Sequence, residues 1–411
     1  MAVIHHRAVL DNGLQISAEV DAEAHTAACG YFVCTGTRDE DVVDTGVSHF
    51  LEHMMFKGTE KRSAEEVNLA FDELGVNNNA FTTQEMTAFY VHSIPDVFSQ
   101  ALEVLTDIMR PSLRESDFND ERGVILEEIA MYEDQPFWRL YEKTMEEHYG
   151  GHPLSRRVLG TGETIRDLKR ARMVEYFGQR YSADNTTLAI AGNVDFDAVV
   201  KQVSDLCGGW ERTNTVRQYP EVELRNRELT IEDERAARQY LIMISPAPSL
   251  QDEDRYAASM LANLIGDTEG SLLYWALVDP GIAEEAQAGY DGRDGLGDMF
   301  VYASCSPERS DKVESIINDQ LDRCLELITE DDLERLRNKT ATGVTIGSER
   351  PLGRMMRLGR MAMYYGPDEY RTLDEELARI QSVTFDDLRR VYEAYPFKPR
   401  TVGRLQPCQS S

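Results

Sequence analysis

The sequence predicts a protein of two similar halves in which strands and helices alternate, of the α/β or α+β class. Three observations support this prediction. Short apolar runs typical of strands alternate with amphipathic helical periods. Each half ends with a helical pattern followed by a short apolar strand, over 187–191 and 401–405, which hints at an internal duplication. A polar segment separates the two halves.

The boundary between the halves is predicted from composition. The segment 208–229 is polar, contains Pro220 and shows no sustained apolar period. A chain of 411 residues is long enough for two domains. We therefore expect a first domain over 1–215, a linker over 216–228 and a second domain over 229–411.

Turn residues, helix caps and apolar periodicity predict the individual elements. Asn12 and Gly13 predict a tight hairpin, because the turn needs positive φ. Ser63 and Glu66 match a capping box, which begins a helix. In the first half the predicted elements are strands over 7–10, 14–20 and 28–35, helices over 46–56 and 64–74, two strands within 79–93, a helix from Pro95, a helix over 116–132 and a strand over 188–191. In the second half they are a strand over 238–244, a helix over 252–265, a strand over 299–305 and long helices from 309 onwards.

Composition argues against several classes of protein. Lys and Arg number 43 against 73 Asp and Glu, a net charge of −30, which disfavours nucleic acid and anionic membranes as partners. No apolar run approaches the roughly 20 residues that span a bilayer, and the start has no apolar secretory core. Six dispersed cysteines include no CxxC pair, so neither a cysteine zinc site nor a disulfide framework is indicated. We expect a cytoplasmic protein.

The strongest chemical signal is the motif formed by His49, Glu52 and His53. Residues four apart share a helix face, so both imidazoles can bind one ion. Glu52 is close enough to reach a water on that ion without being a ligand itself. The order inverts the common HExxH zinc motif. Alternatively, the two histidines belong to a polar stripe on an amphipathic helix.

A second helix offers a third ligand. Glu121 and Glu128 are seven residues apart, which places them on one helix face together with Val124. This pattern is explained if Glu128 binds the ion and Glu121 orients a ligand or the water. The alternative is an exposed acidic stripe.

Three segments together resemble the pitrilysin/insulinase family of zinc peptidases, and within it the branch of mitochondrial processing peptidase and its bacterial relatives. These segments are His49-Phe-Leu-Glu52-His53-Met-Met-Phe-Lys-Gly-Thr, Asn79-Ala-Phe-Thr-Thr-Gln-Glu-Met-Thr and Glu121-Arg-Gly-Val-Ile-Leu-Glu-Glu128. The likeness extends over nearly the whole chain.

The resemblance implies a role for each site residue. His49, His53 and Glu128 would bind one Zn²⁺ per chain, Glu52 would be the general base that activates the zinc-bound water, and Glu121 would be a supporting catalytic carboxylate. The implied fold is α+β, with two homologous α/β-sandwich domains. Each domain would be a mixed, largely antiparallel sheet packed against helices, and the chain would form half of a clamshell. The second domain would have no zinc site.

The implied activity is a zinc-dependent metalloendopeptidase that hydrolyses peptides or unstructured polypeptide segments. Asn79, Ala80 and Phe81 match the exposed edge strand on which the family binds substrate, and an unpaired edge can recognise a peptide main chain by β-augmentation. The alternative function is a non-catalytic or weakly active assembly or binding subunit of a peptidase-like complex.

One departure from the family pattern concerns partners. Many active relatives have an Arg and a Tyr in the second domain that bind substrate or stabilise the oxyanion. The matching positions here are Leu277 and Glu284, which cannot donate such a hydrogen bond while Glu284 is ionised. We therefore expect either a heterodimer with a paralogue that has the Arg and Tyr or a homodimer that is a slow peptidase. The alternative is a subfamily that positions its substrate another way.

Overall fold

The structure, a computed structural model, describes residues 3–366 and 369–408. Its strands are β1 (Ile4–Val9), β2 (Gln15–Val20), β3 (Ala27–Val33), β4 (Asn77–Thr82), β5 (Thr87–Ser93), β6 (Thr186–Gly192), β7 (Arg227–Asp233), β8 (Gln239–Pro246), β9 (Glu285–Arg293), β10 (Leu296–Cys305) and β11 (Thr401–Pro407).

The α-helices are α1 (Val47–Met55), α2 (Ala64–Leu74), α3 (Phe98–Ile108), α4 (Glu115–Glu133), α5 (Pro136–Tyr149), α6 (Gly162–Asp167), α7 (Arg170–Arg180), α8 (Phe196–Cys207), α9 (Arg255–Gly266), α10 (Ser310–Asp322), α11 (Cys324–Leu327), α12 (Glu330–Ser348), α13 (Pro351–Tyr365), α14 (Leu373–Ser382) and α15 (Phe385–Ala394). None of the helices in the described ranges combines the length and apolarity that a bilayer span needs.

The strands form two mixed, mainly antiparallel sheets. The first has the order β1-β2-β6-β3-β5-β4, and the second has the order β7-β11-β8-β10-β9. Each sheet has one parallel pair, β2 with β6 and β7 with β11, and the other pairs are antiparallel. Apart from β1, both sheets therefore have the same strand order and directions. This agreement confirms the predicted α+β fold of two similar sheet-and-helix halves.

The contacts divide the chain into two compact units that exchange helices. The first unit consists of Met1–Ala130, Arg156–Gln218 and Ile346–Arg371, and the rest of the chain forms the second. Helix α13 therefore packs on the first sheet, where it contacts β6, and α5 packs on the second sheet, where it contacts β11. Each of these strands is the last of its sheet in chain order. The sequence-based division at 216–228 stays a prediction about which segments fold independently.

In the first unit, both faces of the central strand β3 are buried. Cys29 and Tyr31 belong to the larger core, which is formed with the helices of the first half. Ala28 and Phe32 point to the opposite face and pack in a smaller cluster with α13. Successive side chains of β3 point to opposite faces of the sheet, so this strand contributes to a core on each face.

The second unit repeats this arrangement. On β8, Leu241 and Met243 belong to the core formed with α9, α10, α12 and α15. Ile242 and Ile244 face the opposite side, where they pack in a cluster with Leu140 of α5.

Close approach of α13 to the first sheet depends on a glycine. Gly359 lies in this helix, and a Cβ added there would meet the ring of Phe32 at 2.2 Å. The neighbouring strands present Ala88, Ala189 and Ala191 on the same face, and these small side chains leave room for the helix. The packing leaves no space for a larger residue at 359.

We expect Gly359→Ala to lower the free energy of unfolding by about 1–3 kcal/mol, because the new methyl group overpacks a filled core. The matched control is Gly123→Ala in α4, where the added Cβ meets nothing within 4 Å. That control should raise stability by up to about 1 kcal/mol, since alanine is the better helix former. Denaturant unfolding measures both variants, and a shift of the same sign and size in the two would contradict the packing argument.

Candidate metal centre

Helix α1 begins at a position that only glycine fits. Gly46 has φ 97°, and a Cβ there would meet the Leu159 carbonyl oxygen at 2.7 Å. Because glycine has no side chain to cap the helix, a buried carboxylate supplies the acceptors. Both oxygens of Glu40 accept bonds, from the N–H of Gly46 and the N–H of Ser48, each at 2.8 Å. A carboxylate at a helix N-terminus also interacts favourably with the helix dipole.

Aromatic packing sets the position of α1 relative to α4. The rings of Phe50 and Phe118 stack with their centroids 4.7 Å apart and an interplanar angle of 4°. Both side chains are fully buried. This contact fixes the two helices that hold the predicted ligands.

The structure brings the three predicted metal ligands together. Glu128 Oε2 lies 3.7 Å from His49 Nε2 and 3.6 Å from His53 Nε2. Tetrahedral zinc with ligands at its usual bond lengths separates them by about 3.3–3.6 Å, so the two distances from Glu128 are at or just above the separations that this ion requires. Among the described residues, no other cluster of three or more His, Cys, Asp or Glu has metal-binding spacing.

Glu121 lies behind the ligands and contacts one of them. Its Oε1 is 2.8 Å from His53 Nδ1, and its Oε2 is 2.5 Å from Lys57 Nζ. An Nδ1–H that donates to Glu121 leaves Nε2 of a neutral His53 without a proton, so that its lone pair is available to a metal ion. Glu121 therefore lies where a carboxylate that orients a candidate ligand would lie, and it is itself paired with Lys57.

The electrostatic surroundings differ for the two histidines. Burial, followed by the neighbouring His53, lowers the pKa of His49 to about 3, so this imidazole is neutral at physiological pH. Burial also disfavours protonated His53, but the hydrogen bond and charge of Glu121 outweigh it and raise the pKa of His53. For Glu121, burial opposes ionisation, yet the bonds from His53 and Lys57 lower its pKa.

Glu52 lies on α1 like the two histidines, but its carboxylate contacts Thr82 and is not part of the cluster of His49, His53 and Glu128. Its Oε2 accepts a hydrogen bond of 2.6 Å from the hydroxyl of Thr82 at the end of β4. Burial raises the pKa of Glu52, while this bond and the charge of His53 oppose the rise. A partly buried carboxylate with a raised pKa, close to the ligands, is suited to accept a proton.

The predicted substrate-binding residues lie on β4, an edge strand of the first sheet. Asn79 is exposed, and its Oδ1 accepts a bond of 2.8 Å from the Ala80 N–H. Ala80 packs toward the larger core beside α1, whereas Phe81 packs toward the cluster under α13. Strand β4 therefore packs against α1, the helix that contains His49 and His53, through the face on which Ala80 lies.

The two positions that depart from the family pattern lie in the second unit. Leu277 is fully buried in a π-helical turn, Tyr274–Val278. Glu284 forms an ion pair of 2.9 Å with Arg238. Neither side chain is a free hydrogen-bond donor.

Sequence reasoning missed Glu40, Lys57 and Thr82 as parts of the centre. Lys57 follows the C-terminus of α1, and Thr82 lies two residues after Ala80 on the same strand face, so local spacing offered a signal for both. Glu40 gave none, because its contact with α1 depends on the course of an irregular segment.

Comparisons with known proteins agree on one family. Residues 15–162 match the family profile described as insulinase (peptidase family M16), and residues 167–340 match the profile described as peptidase M16 inactive domain. The chain is similar to an uncharacterized zinc protease of Streptomyces coelicolor, with 32% identity over 405 residues, 94% of this chain and 86% of that protein. It is 30% identical over 404 residues to one of Mycobacterium tuberculosis, covering 95% of this chain and 90% of that protein.

Solved structures share the fold. A protease from Helicobacter pylori has a TM-score of 0.92 at 19% identity, with 99% of this chain and 100% of that chain covered. A peptidase M16 inactive domain from Pseudomonas fluorescens has a TM-score of 0.91 at 15% identity, with 99% of each chain covered. A putative M16-like peptidase from Alicyclobacillus acidocaldarius has a TM-score of 0.86 at 21% identity, with 99% of each chain covered.

We expect Glu128→Gln to lower zinc affinity more than about 100-fold, beyond the 10- to 100-fold typical of residues that only support a ligand. Competition with a chelator and elemental analysis measure the change. Glu127→Gln, on the exposed side of the same helix, is the control and should bind zinc like the wild type. Wild-type affinity in Glu128→Gln would place the third ligand elsewhere.

Proposed function

The chain belongs to peptidase family M16, the insulinase family, and on that premise we propose that it is a zinc-dependent endopeptidase acting on peptides or unstructured polypeptide segments. The observation that supports this proposal is the separation of roles on α1. His49 and His53 meet Glu128 at ligand spacing, while the Glu52 carboxylate stays outside that set. The narrower likeness to mitochondrial processing peptidase stays a prediction.

One zinc ion per chain would be held by His49, His53 and Glu128. Zinc at such a site polarises a carbonyl and lowers the pKa of water. Glu52 takes a proton from the attacking water as the water oxygen bonds to the peptide carbonyl carbon. It then gives the proton to the amide nitrogen as the C–N bond breaks, which leaves a carboxylic acid and an amine.

Substrate would bind as an added strand on β4. Main-chain pairing recognises a peptide largely independently of its side chains, which suits a peptidase for unstructured segments. The Ala80 N–H bonds to the Asn79 side chain in the structure, so a peptide carbonyl can take that acceptor's place. The substrate would thus lie on the strand that packs against α1.

The alternative function is a non-catalytic or weakly active subunit. It is favoured by one observation, that the second half contains no donor at Leu277 or Glu284. The full metal set in the first half argues for catalysis. We therefore propose that the chain is a peptidase whose missing Arg and Tyr are supplied by a paralogue in a heterodimer, or whose homodimer is slow.

We expect Glu52→Gln to bind zinc like the wild type but to lower kcat about 10²- to 10⁴-fold, because the amide cannot accept the proton of water. The assay is cleavage of an unstructured peptide by zinc-loaded protein, with zinc content measured on the same samples. Glu127→Gln is the control for a lost exposed carboxylate. Near-normal turnover in Glu52→Gln would rule out this general base.

The assembly proposal has its own test. We expect the purified chain alone to cut an unstructured peptide at least tenfold below the median enzyme rate of about 10 per second, since oxyanion donors are worth orders of magnitude in rate. Light scattering gives the assembly state, and a kinetic assay gives the turnover. A homodimer that turns over at the median rate would show that no second gene product is needed.

A further inference from the structure

The hydroxyl of Thr82 touches the carboxylate that we assign as the general base. Thr82 Oγ1 donates to Glu52 Oε2 over 2.6 Å. This length lies in the range of charge-assisted O–H···O⁻ bonds, which are about twice as strong as neutral ones. Thr82 is the last residue of β4, and neither its fold position nor the metal set requires a hydroxyl there.

The position of this hydroxyl is determined by the sheet. Thr82 pairs with Thr87 of β5, so its backbone is held in the ladder. A β-branched side chain has few rotamers, which restricts where the hydroxyl can point. Thr82 shares a strand face with Ala80, two residues earlier, and α1 packs against this strand. The donor therefore reaches Glu52 from a rigid element.

The bond distinguishes the two oxygens of the carboxylate. A threonine hydroxyl has one proton to donate, and here that proton is directed to Oε2. The other oxygen, Oε1, keeps its lone pairs for water. A carboxylate held at one oxygen also loses rotational freedom, which keeps the basic atom in one place during the reaction.

We propose that Thr82 is a positioning residue for Glu52 and that it ties the general base to the strand on which substrate pairs. The inference rests on the proposed function. A peptide added to β4 fixes the register of the substrate, and Thr82 fixes the base relative to the same strand. Strand β4 then positions both the carbonyl group that is attacked and the Glu52 oxygen that accepts the proton. This arrangement predicts an effect on turnover rather than on binding.

A purely structural role would give a different pattern. If the bond only held β4 against α1, its loss would loosen the edge strand, and peptide affinity and zinc content would change with the rate. The two roles are therefore separable by measuring kcat, KM, zinc content and peptide binding on the same variants.

The test compares Thr82→Val, which keeps the shape but loses the hydroxyl, with Thr82→Ser, which keeps the hydroxyl. We expect Thr82→Val to lower kcat about 10- to 100-fold, with KM within about twofold and zinc content unchanged. Thr82→Ser should recover most of the rate. Thr230→Val, an exposed threonine on the edge strand β7 of the second sheet, is the control and should keep the wild-type rate.

A double-mutant cycle with Glu52→Gln completes the test. If Thr82 acts through Glu52, adding Thr82→Val to Glu52→Gln should cause no further loss of rate, because the two residues act as a unit. Peptide binding by the two Glu52→Gln proteins should be equal. Wild-type kcat in Thr82→Val, or equal loss in the Ser and Val variants with raised KM, would overturn the positioning role. A wild type that binds no zinc would instead overturn the proposed function, and this role with it.

Discussion

The packing of α1 on α4 is the constraint on which the candidate metal centre depends. One helix supplies two candidate ligands and the other supplies the third, so a small sliding of either helix would separate them. Stacking of Phe50 on Phe118 fixes their relative position in a region that excludes water. Tightly packed interiors resist such sliding, because any displacement loses contacts on all sides. Packing of apolar side chains between α1 and α4 thus determines the spacing of the donor atoms of His49, His53 and Glu128.

Polar contacts around the helix complete what packing begins. Glu40 satisfies the N–H groups at the start of α1, and Lys57 just past its end holds Glu121, which in turn holds His53. Each of these bonds joins α1, or a residue that flanks it, to another segment of the first unit. Buried polar groups are costly when unpaired, so together they favour one placement of the helix. The ligands are therefore positioned before any ion binds, which lowers the ordering cost of binding.

Much of the fold and of the metal set was predictable from the sequence, because both depend on local patterns. The hairpin at Gly13 and the helix after Gly46 form where predicted, and the two strands predicted within 79–93 form over Asn77–Thr82 and Thr87–Ser93. Spacing of four residues pointed to the two histidines and spacing of seven pointed to Glu128, and the structure places these three side chains together. The exchange of α5 and α13 was not predictable, since amphipathic periodicity shows that a helix has an apolar face but not which sheet covers it. The contacts of Glu40 were hidden for a similar reason, because they join residues through an irregular segment.

The two halves share a sheet topology, yet among the described residues the candidate metal cluster lies in the first half alone, and the helices account for the difference. Helix α9 follows β8 and precedes the β9–β10 pair, as α1 follows β3 and precedes the β4–β5 pair. In α9 the buried positions are nearly all apolar, including Met260, Leu261 and Ile265. A helix that is apolar on its buried side adds to a core but offers no ligand to an ion. All eight histidines of the chain lie at or before His152, so neither the strands of the second sheet nor α9 contains an imidazole, and His148 of α5 is hydrogen-bonded to Thr401 of β11. The same architecture thus holds the candidate metal ligands in one half and an apolar helix in the corresponding place of the other. The difference arises from the side chains of one helix rather than from the course of the backbone.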